Sequence, residues 1–420
     1  MPRTDPRAVA PRRAAVVTAV VLLGSASASC GDSAPTRAPT LAPAPLDTRW
    51  FRVALVSAAG VEFPFLLELP DGRAPARFRN GANETQAAGT LAGDRVTIAM
   101  PVLRTSLTAV RSGDHLSGEF TTSTAMGGSG RMTLVGEAIP RPHPSALATG
   151  VQVLPWRALD LGATSTWRVQ LAGEDAQLVL QQPARGAYSG VLTNPAGEIS
   201  YLGGTGVDDK LVLSGFDGTG VYRLDLTMTT DHQRARGRWR MGQIGDGDEA
   251  AVAERDDRFA LPPRPATPAN ITLDLPQIDQ LAGRPVLVEF GATWCSTCRA
   301  LIPFLTSLYA SYNHRGLEIV TLLFEGSTDA AYNAEQVARF VQEHQIPWKV
   351  VAIPVELEEA MAMLPAALDL DLANLPIVLF ANAEHRLVAL HTGFPWESDR
   401  TRYLEVTRRF RAHVEALIPR

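Results

Sequence analysis

The sequence predicts an all-β region of two related modules, followed by a carboxy-terminal α/β domain. Three observations lead there. Between Arg49 and about Phe259, short alternating stretches such as Arg95-Val96-Thr97-Ile98 and Lys210-Leu211-Val212-Leu213 are broken by Gly, Asn and Asp, the pattern of half-buried strands joined by tight turns. The same region repeats itself: Asn80 and Glu84 recur as Asn194 and Glu198, Asp94-Arg95-Val96 as Asp209-Lys210-Leu211, and Asp114-His115 as Asp231-His232. After a Pro-rich stretch from Leu261 to Pro268, apolar strands alternate with amphipathic helical segments.

The chain opens on an export signal, residues 1–30. Arg3, Arg7, Arg12 and Arg13 precede an apolar run from Ala14 to Leu23, too short to span a membrane, and small residues follow to Ser29. Ser27-Ala28-Ser29-Cys30 resembles a bacterial lipobox without its usual Leu, whereas Ala26-Ser27-Ala28 also suits ordinary signal peptidase. The polar, Pro-containing sequence after Cys30 favours lipidation of that cysteine and a lipid anchor in the cell envelope. Residues 31–48, rich in Pro, Ala and Thr, are the expected tether. The β modules are expected over 49–140 and 165–259, as two halves of one barrel or as two sandwiches. A Pro-rich linker covers 260–274 and the α/β domain 275–420.

Within that last domain the expected order is a strand at Val286–Phe290, a helix to about Tyr312, a strand at Leu317–Phe324, a helix at Ala334–His344 and a strand at Lys349–Ile353. A hairpin of Ile377–Phe380 and Leu387–Leu390 and a helix over Thr401–Leu417 complete it. The chain has 420 residues, 45% hydrophobic and 20% charged, so folded domains are expected throughout. With 39 basic against 44 acidic residues there is no basic footprint to neutralise a phosphate backbone, and nucleic acid is not a partner.

If Cys30 is lipidated, Cys295 and Cys298 are the two cysteines left to pair, which excludes a stapling framework. A bridge between residues three apart closes too short a loop to stabilise much, so the pair is there for chemistry. Trp294-Cys295-Ser296-Thr297-Cys298 follows a strand and opens a helix. Cys295 therefore faces unpaired N–H groups at the helix start, which favour its thiolate, and Cys298 can reach back to resolve a mixed disulfide. A structural zinc would need two further ligands, and His314, His344, His385, His391 and His413 form no suitable pair; no metal or other cofactor is implied. A peroxidatic role is disfavoured by Ala292 where a Thr is expected. The repeated Asp-His reads as turn residues rather than a metal site.

These features together resemble the exported thioredoxin-like disulfide reductases of the TlpA and ResA type, over about Leu275 to the carboxy terminus. Trp294 before the pair, Pro303 eight residues after Cys295 and Leu375-Pro376 before a strand match in order, as do His391-Thr392-Gly393-Phe394 and, in the β region, Leu213-Ser214-Gly215-Phe216-Asp217-Gly218. The resemblance implies a thioredoxin fold and a cis-proline at Pro376 opposite the dithiol, with Trp294, Leu375 and Pro376 contacting substrate. It also implies client proteins with oxidised cysteines and a membrane thiol as electron donor. Glu289 stands where thioredoxin has a buried acid; inside an apolar strand its charged form is disfavoured, making it a candidate base for Cys298. Glu325 is a second acidic candidate, one position out of the family's register. The Ser-Thr spacer matches neither Gly-Pro nor Glu-Pro of the relatives, so the resemblance leaves the redox potential and the direction of electron flow open. The competing reading is an envelope ligand-binding β protein whose thioredoxin part is a redox-idle scaffold.

Overall fold

The computed structural model describes residues 49–71, 74–123, 129–141, 156–195, 197, 199–242, 247–262, 271–368, 370 and 375–418. The export signal, Cys30, the tether, most of the Pro-rich linker and Glu198 lie outside the described residues.

The first module is a meander of nine strands: β1 (Trp50–Val56), β2 (Glu62–Glu68), β3 (Ala76–Asn80), β4 (Asn83–Ala87), β5 (Gly89–Ala92), β6 (Arg95–Met100), β7 (Thr105–Ser112), β8 (His115–Ser123) and β9 (Ser129–Ala138). They form one sheet in the order β4-β3-β2-β1-β9-β8-β7-β6-β5. The second module has eight: β10 (Thr164–Leu171), β11 (Glu174–Ala184), β12 (Ala187–Thr193), β13 (Ile199–Val207), β14 (Lys210–Phe216), β15 (Val221–Met228), β16 (Arg234–Gly242) and β17 (Gly247–Arg255), closed into a barrel. The two sheets share one plan. The first strand pairs antiparallel with the last in both, β1 with β9 and β10 with β17. The difference is the fourth strand, continuous as β13 but split at Ala88 into β4, which pairs with β3, and β5, which pairs with β6. Asp94 and Asp209 play matching parts: each precedes the next strand and its carbonyl accepts a backbone N–H, from Arg111 and from Met228. The arrangement is therefore two separate barrel-like sheets, and neither one shared barrel nor a pair of sandwiches.

Alternation along each strand places one face inward, as Val96, Ile98 and Met100 on β6 and Leu211 and Leu213 on β14 show. The two barrels are joined by Phe216, which ends β14 and inserts into the first module, its ring 4.9 Å from Phe65, 5.0 Å from Phe78 and 5.3 Å from Phe120. Asn80 holds that insertion from both sides, donating to the Phe216 carbonyl (2.6 Å) and accepting from its N–H (2.9 Å).

The carboxy-terminal domain is a five-stranded sheet of β18 (Val286–Gly291), β19 (Glu318–Leu323), β20 (Lys349–Ala352), β21 (Ile377–Ala381) and β22 (Leu387–Thr392) in the order β20-β19-β18-β21-β22. The first three are parallel and the last two antiparallel. Helices α1 (Ser296–Tyr312), α2 (Ala330–His344), α3 (Leu357–Ala362) and α4 (Arg400–Leu417) accompany it. On α1, Leu301, Leu305, Leu308 and Tyr312 recur at helical spacing and bury one stripe against the sheet. Pro303 lies within this helix. Helix α2 begins four residues before the expected Ala334, because Asp329 caps it and accepts from the N–H groups of Ala331 and Tyr332. Helix α3 was not foreseen in the sequence. Among the described residues no helix is long and apolar enough to cross a membrane.

The β region packs directly on this domain. Val102, in the β6–β7 turn, is buried in the same apolar cluster as Leu301, Leu305 and Leu308 of α1, and the Arg104 guanidinium lies 4.4 Å from the centre of the Tyr332 ring on α2.

Candidate active site

Strand β18 leads through Ala292, Thr293 and Trp294 to Cys295, which caps α1: its Sγ accepts the Cys298 N–H at 3.1 Å. The two sulfurs are joined as a disulfide, with Cα atoms 5.2 Å apart. Cys295 keeps 7% of its surface exposed and Cys298 none, while Trp294 stands 44% exposed beside them. Only the first sulfur can meet an incoming group, and it sits where the unpaired N–H groups of a helix start favour a thiolate once the bridge is reduced.

Opposite lies Leu375-Pro376, whose peptide is cis. Thr297, inside the spacer, donates to the Leu375 carbonyl (3.2 Å) and stands 3.5 Å from Cys295 Sγ. That carbonyl is therefore engaged within the domain, and Leu375 itself is 5% exposed. Pro376 in turn accepts from the N–H of Gly393, the glycine of His391-Thr392-Gly393-Phe394.

Glu289 is wholly buried on β18. Its Oε2 accepts from the Thr321 hydroxyl on the neighbouring strand (2.7 Å), and that hydroxyl accepts from the Trp348 indole N–H (3.0 Å). Its Oε1 has no hydrogen-bond partner among the described residues. Burial pushes the carboxyl up to about 7, and the Thr321 bond offsets this only in part. Oε1 is aimed at the dithiol: a Cβ built on Gly291 would stand 3.5 Å from it and 3.4 Å from Cys298 Sγ, so carboxyl and sulfur face one gap that glycine leaves open.

Glu325, two residues beyond β19, reaches the site as well, although it is out of register in sequence. It is buried, and its oxygens accept from the Thr293 N–H (3.0 Å) and hydroxyl (2.6 Å). Burial raises its carboxyl above the usual range, against the two Thr293 bonds and the Arg104 charge. Arg299, next after Cys298, is a site residue the sequence reading missed. Burial lowers its guanidinium, opposed by Glu343 and by Asp217 of the second barrel. Thr293, Thr297 and Thr321 were missed too. Their signal was faint, since a threonine in or beside a strand is ordinary until its acceptor is located.

Residues 276–339 match the family model described as Thioredoxin. The chain is 34% identical over 74 residues to thiol-disulfide oxidoreductase ResA of Oceanobacillus iheyensis, covering 18% of this chain and 35% of that protein. It is 27% identical over 122 residues to ResA of Bacillus subtilis, covering 29% of this chain and 60% of that protein. The chain thus spans between about a third and three-fifths of the length of these relatives. Among solved structures, a thioredoxin-family thiol:disulfide interchange protein from Chlorobium tepidum aligns with 36% of this chain and 98% of its own, at 19% identity and a TM-score of 0.25. Residues 276–339 are thus a thioredoxin domain, and over part of its length the chain is similar to the ResA thiol-disulfide oxidoreductases.

Proposed function

We propose that the protein is an exported thiol-disulfide oxidoreductase, held at a bacterial membrane by lipid on Cys30, that reduces disulfides of client proteins in the cell envelope. The observation that carries the reading is the asymmetry of the pair: Cys295 keeps a little exposed surface at a helix start, whereas Cys298 is wholly buried near Glu289, whose Oε1 has no hydrogen-bond partner among the described residues.

In the reduced protein the Cys295 thiolate attacks one sulfur of a client disulfide. A mixed disulfide forms, and the client's other sulfur leaves as thiolate. Glu289 then takes the proton from the Cys298 thiol, and the Cys298 thiolate attacks Cys295 Sγ. The Cys295–Cys298 bridge forms and the client's second thiolate departs. Two electrons pass from the dithiol to the client, and a dithiol donor, proposed to be a membrane thiol protein, must return them. Trp294, Leu375 and Pro376 border the approach to Cys295 and are proposed to hold the client segment.

Trapping tests the roles. A Cys298→Ala variant should accumulate covalent adducts with clients, visible on diagonal gels, whereas Cys295→Ala should accumulate none. Equal trapping by both, or none by Cys298→Ala where wild type turns over, overturns the assignment. The anchor is tested separately: Cys30→Ala should release the protein to the soluble fraction, and a mature terminus at Ser29 without acyl chains sinks the lipid reading.

A further inference from the structure

The second barrel is built against the redox site at closer range than a tethered neighbour would be. Its β12–β13 loop brings the Gly197 carbonyl so near Gly393 that a Cβ on Gly393 would stand 2.1 Å from that oxygen; Gly393 is the residue bonded to Pro376. Just beyond, the Trp396 N–H donates to the Tyr201 hydroxyl of β13 (3.0 Å). Ser398 donates to Asn83 of the first module (2.7 Å), and Arg402 on α4 donates to Thr193 (2.6 Å) and Gln177 (3.2 Å) of the second. Between Ser296 of the spacer and this wall of Tyr201, Tyr222, Asp217, Asn83 and Trp396 remains a slot of about 10 Å³, room for no more than one water molecule. Val102 and Arg104 further fix the first module to α1 and α2.

From this enclosure we infer that the β region is a specificity wall of the redox site, which admits to Cys295 an extended, unfolded segment carrying the disulfide and excludes a disulfide set in a folded surface. The inference rests on the oxidoreductase reading above. The geometry behind it is direct. Barrel backbone at Gly197 lies against Gly393, and Tyr201, Asp217 and Tyr222 line the narrow slot beside Ser296, which leaves the side of Trp294, the exposed residue of the site, for the approach to Cys295. A folded client would have to place its own body where the barrel stands. A single extended strand would not.

Two substrates of the same local sequence separate the cases in the full-length protein: an unstructured peptide disulfide and the same disulfide grafted on the surface of a folded domain. Wild type should turn over the peptide and barely act on the folded domain. Arg402→Ala combined with Ser398→Ala removes three docking bonds remote from the sulfurs. It should speed the folded substrate by about tenfold while leaving the peptide rate near wild type, since each lost bond of this kind shifts docking several-fold. Labelling of the reduced wild type gives an independent reading: iodoacetamide should modify Cys295 readily, and a polyethylene-glycol maleimide far more slowly. Equal wild-type rates on the two substrates, or equal labelling by the small and bulky reagents, overturns the wall. No turnover of either substrate, with the labelling contrast intact, would instead sink the oxidoreductase reading and leave the wall standing.

Discussion

Two buried glutamates lie near the redox pair, one on the central strand β18 and one just beyond β19, and they are served differently. Both Glu325 oxygens are occupied by Thr293, which lies two residues before Cys295, so this carboxylate fixes the loop that presents the nucleophile. Glu289 has one oxygen held by Thr321 and the other left without a partner, facing Cys298. A buried acid with both oxygens hydrogen-bonded is a brace. A buried acid with an unengaged oxygen beside a thiol is a place to put a proton. Burial, which both share, does not separate them; what distinguishes the proposed base is its unmade hydrogen bond.

The largest test of that contrast is kinetic. Glu289→Gln keeps shape and removes the base, and should slow resolution of a preformed mixed disulfide by about 100-fold at neutral pH while the first attack by Cys295 changes little. Glu325→Gln should leave resolution close to wild type. Equal slowing in both variants, followed by rapid-quench trapping of the mixed disulfide, would erase the distinction.

Next in size is stability against pH. The folded carboxyl of Glu289 is raised from its ordinary 4.5 to about 7, so it favours the folded state fully below pH 4.5, and that contribution is lost as pH rises through 7. Relative to wild type, oxidised Glu289→Gln should therefore gain on the order of 3 kcal/mol between about pH 4 and pH 8. Denaturant midpoints across that range measure it, and a constant difference between the two proteins would mean that the carboxyl titrates normally. Smaller again is the brace. Glu325→Ala leaves the Thr293 N–H and hydroxyl without their acceptor inside the domain, at a cost of about 1–3 kcal/mol, with the pH profile keeping the Glu289 slope.

Much of this site could be read from the chain. Trp294, Cys295 and Cys298 form one contiguous motif, Pro376 follows a Leu just before an apolar strand, and Glu289 betrays itself as a charge in an otherwise apolar strand. Glu325 was nearly missed because its partner is local neither in sequence nor in register; only the parallel pairing of β18 with β19 brings it to Thr293. The β modules were legible as strands because alternation is a local signal. Closure was not, since whether a meander of eight strands becomes a barrel depends on its first strand meeting its last. The split of one fourth strand at Ala88 and the insertion of Phe216 into its neighbour's core are likewise settled by packing between distant residues. So is the docking of a barrel beside Gly393: the stretches 391–394 and 213–218 stand out in the sequence, but nothing in either says that the two parts of the chain meet.

The smallest expected effect is also the most local. Gly291 ends β18 between the two groups, and a methyl there would lie 3.5 Å from Glu289 Oε1, 3.4 Å from Cys298 Sγ and 3.4 Å from Leu323 Cδ2. Those are ordinary contacts, so Gly291→Ala should fold with stability within about 1 kcal/mol of wild type. What it removes is the open space through which carboxyl and thiol face each other. If the proton passes through that space, resolution should slow several-fold, less than in Glu289→Gln, and adding Gly291→Ala to Glu289→Gln should slow it no further. If the two losses multiply instead, the gap matters to Cys298 independently of the carboxyl, and Glu289 belongs with Glu325 as a structural acid.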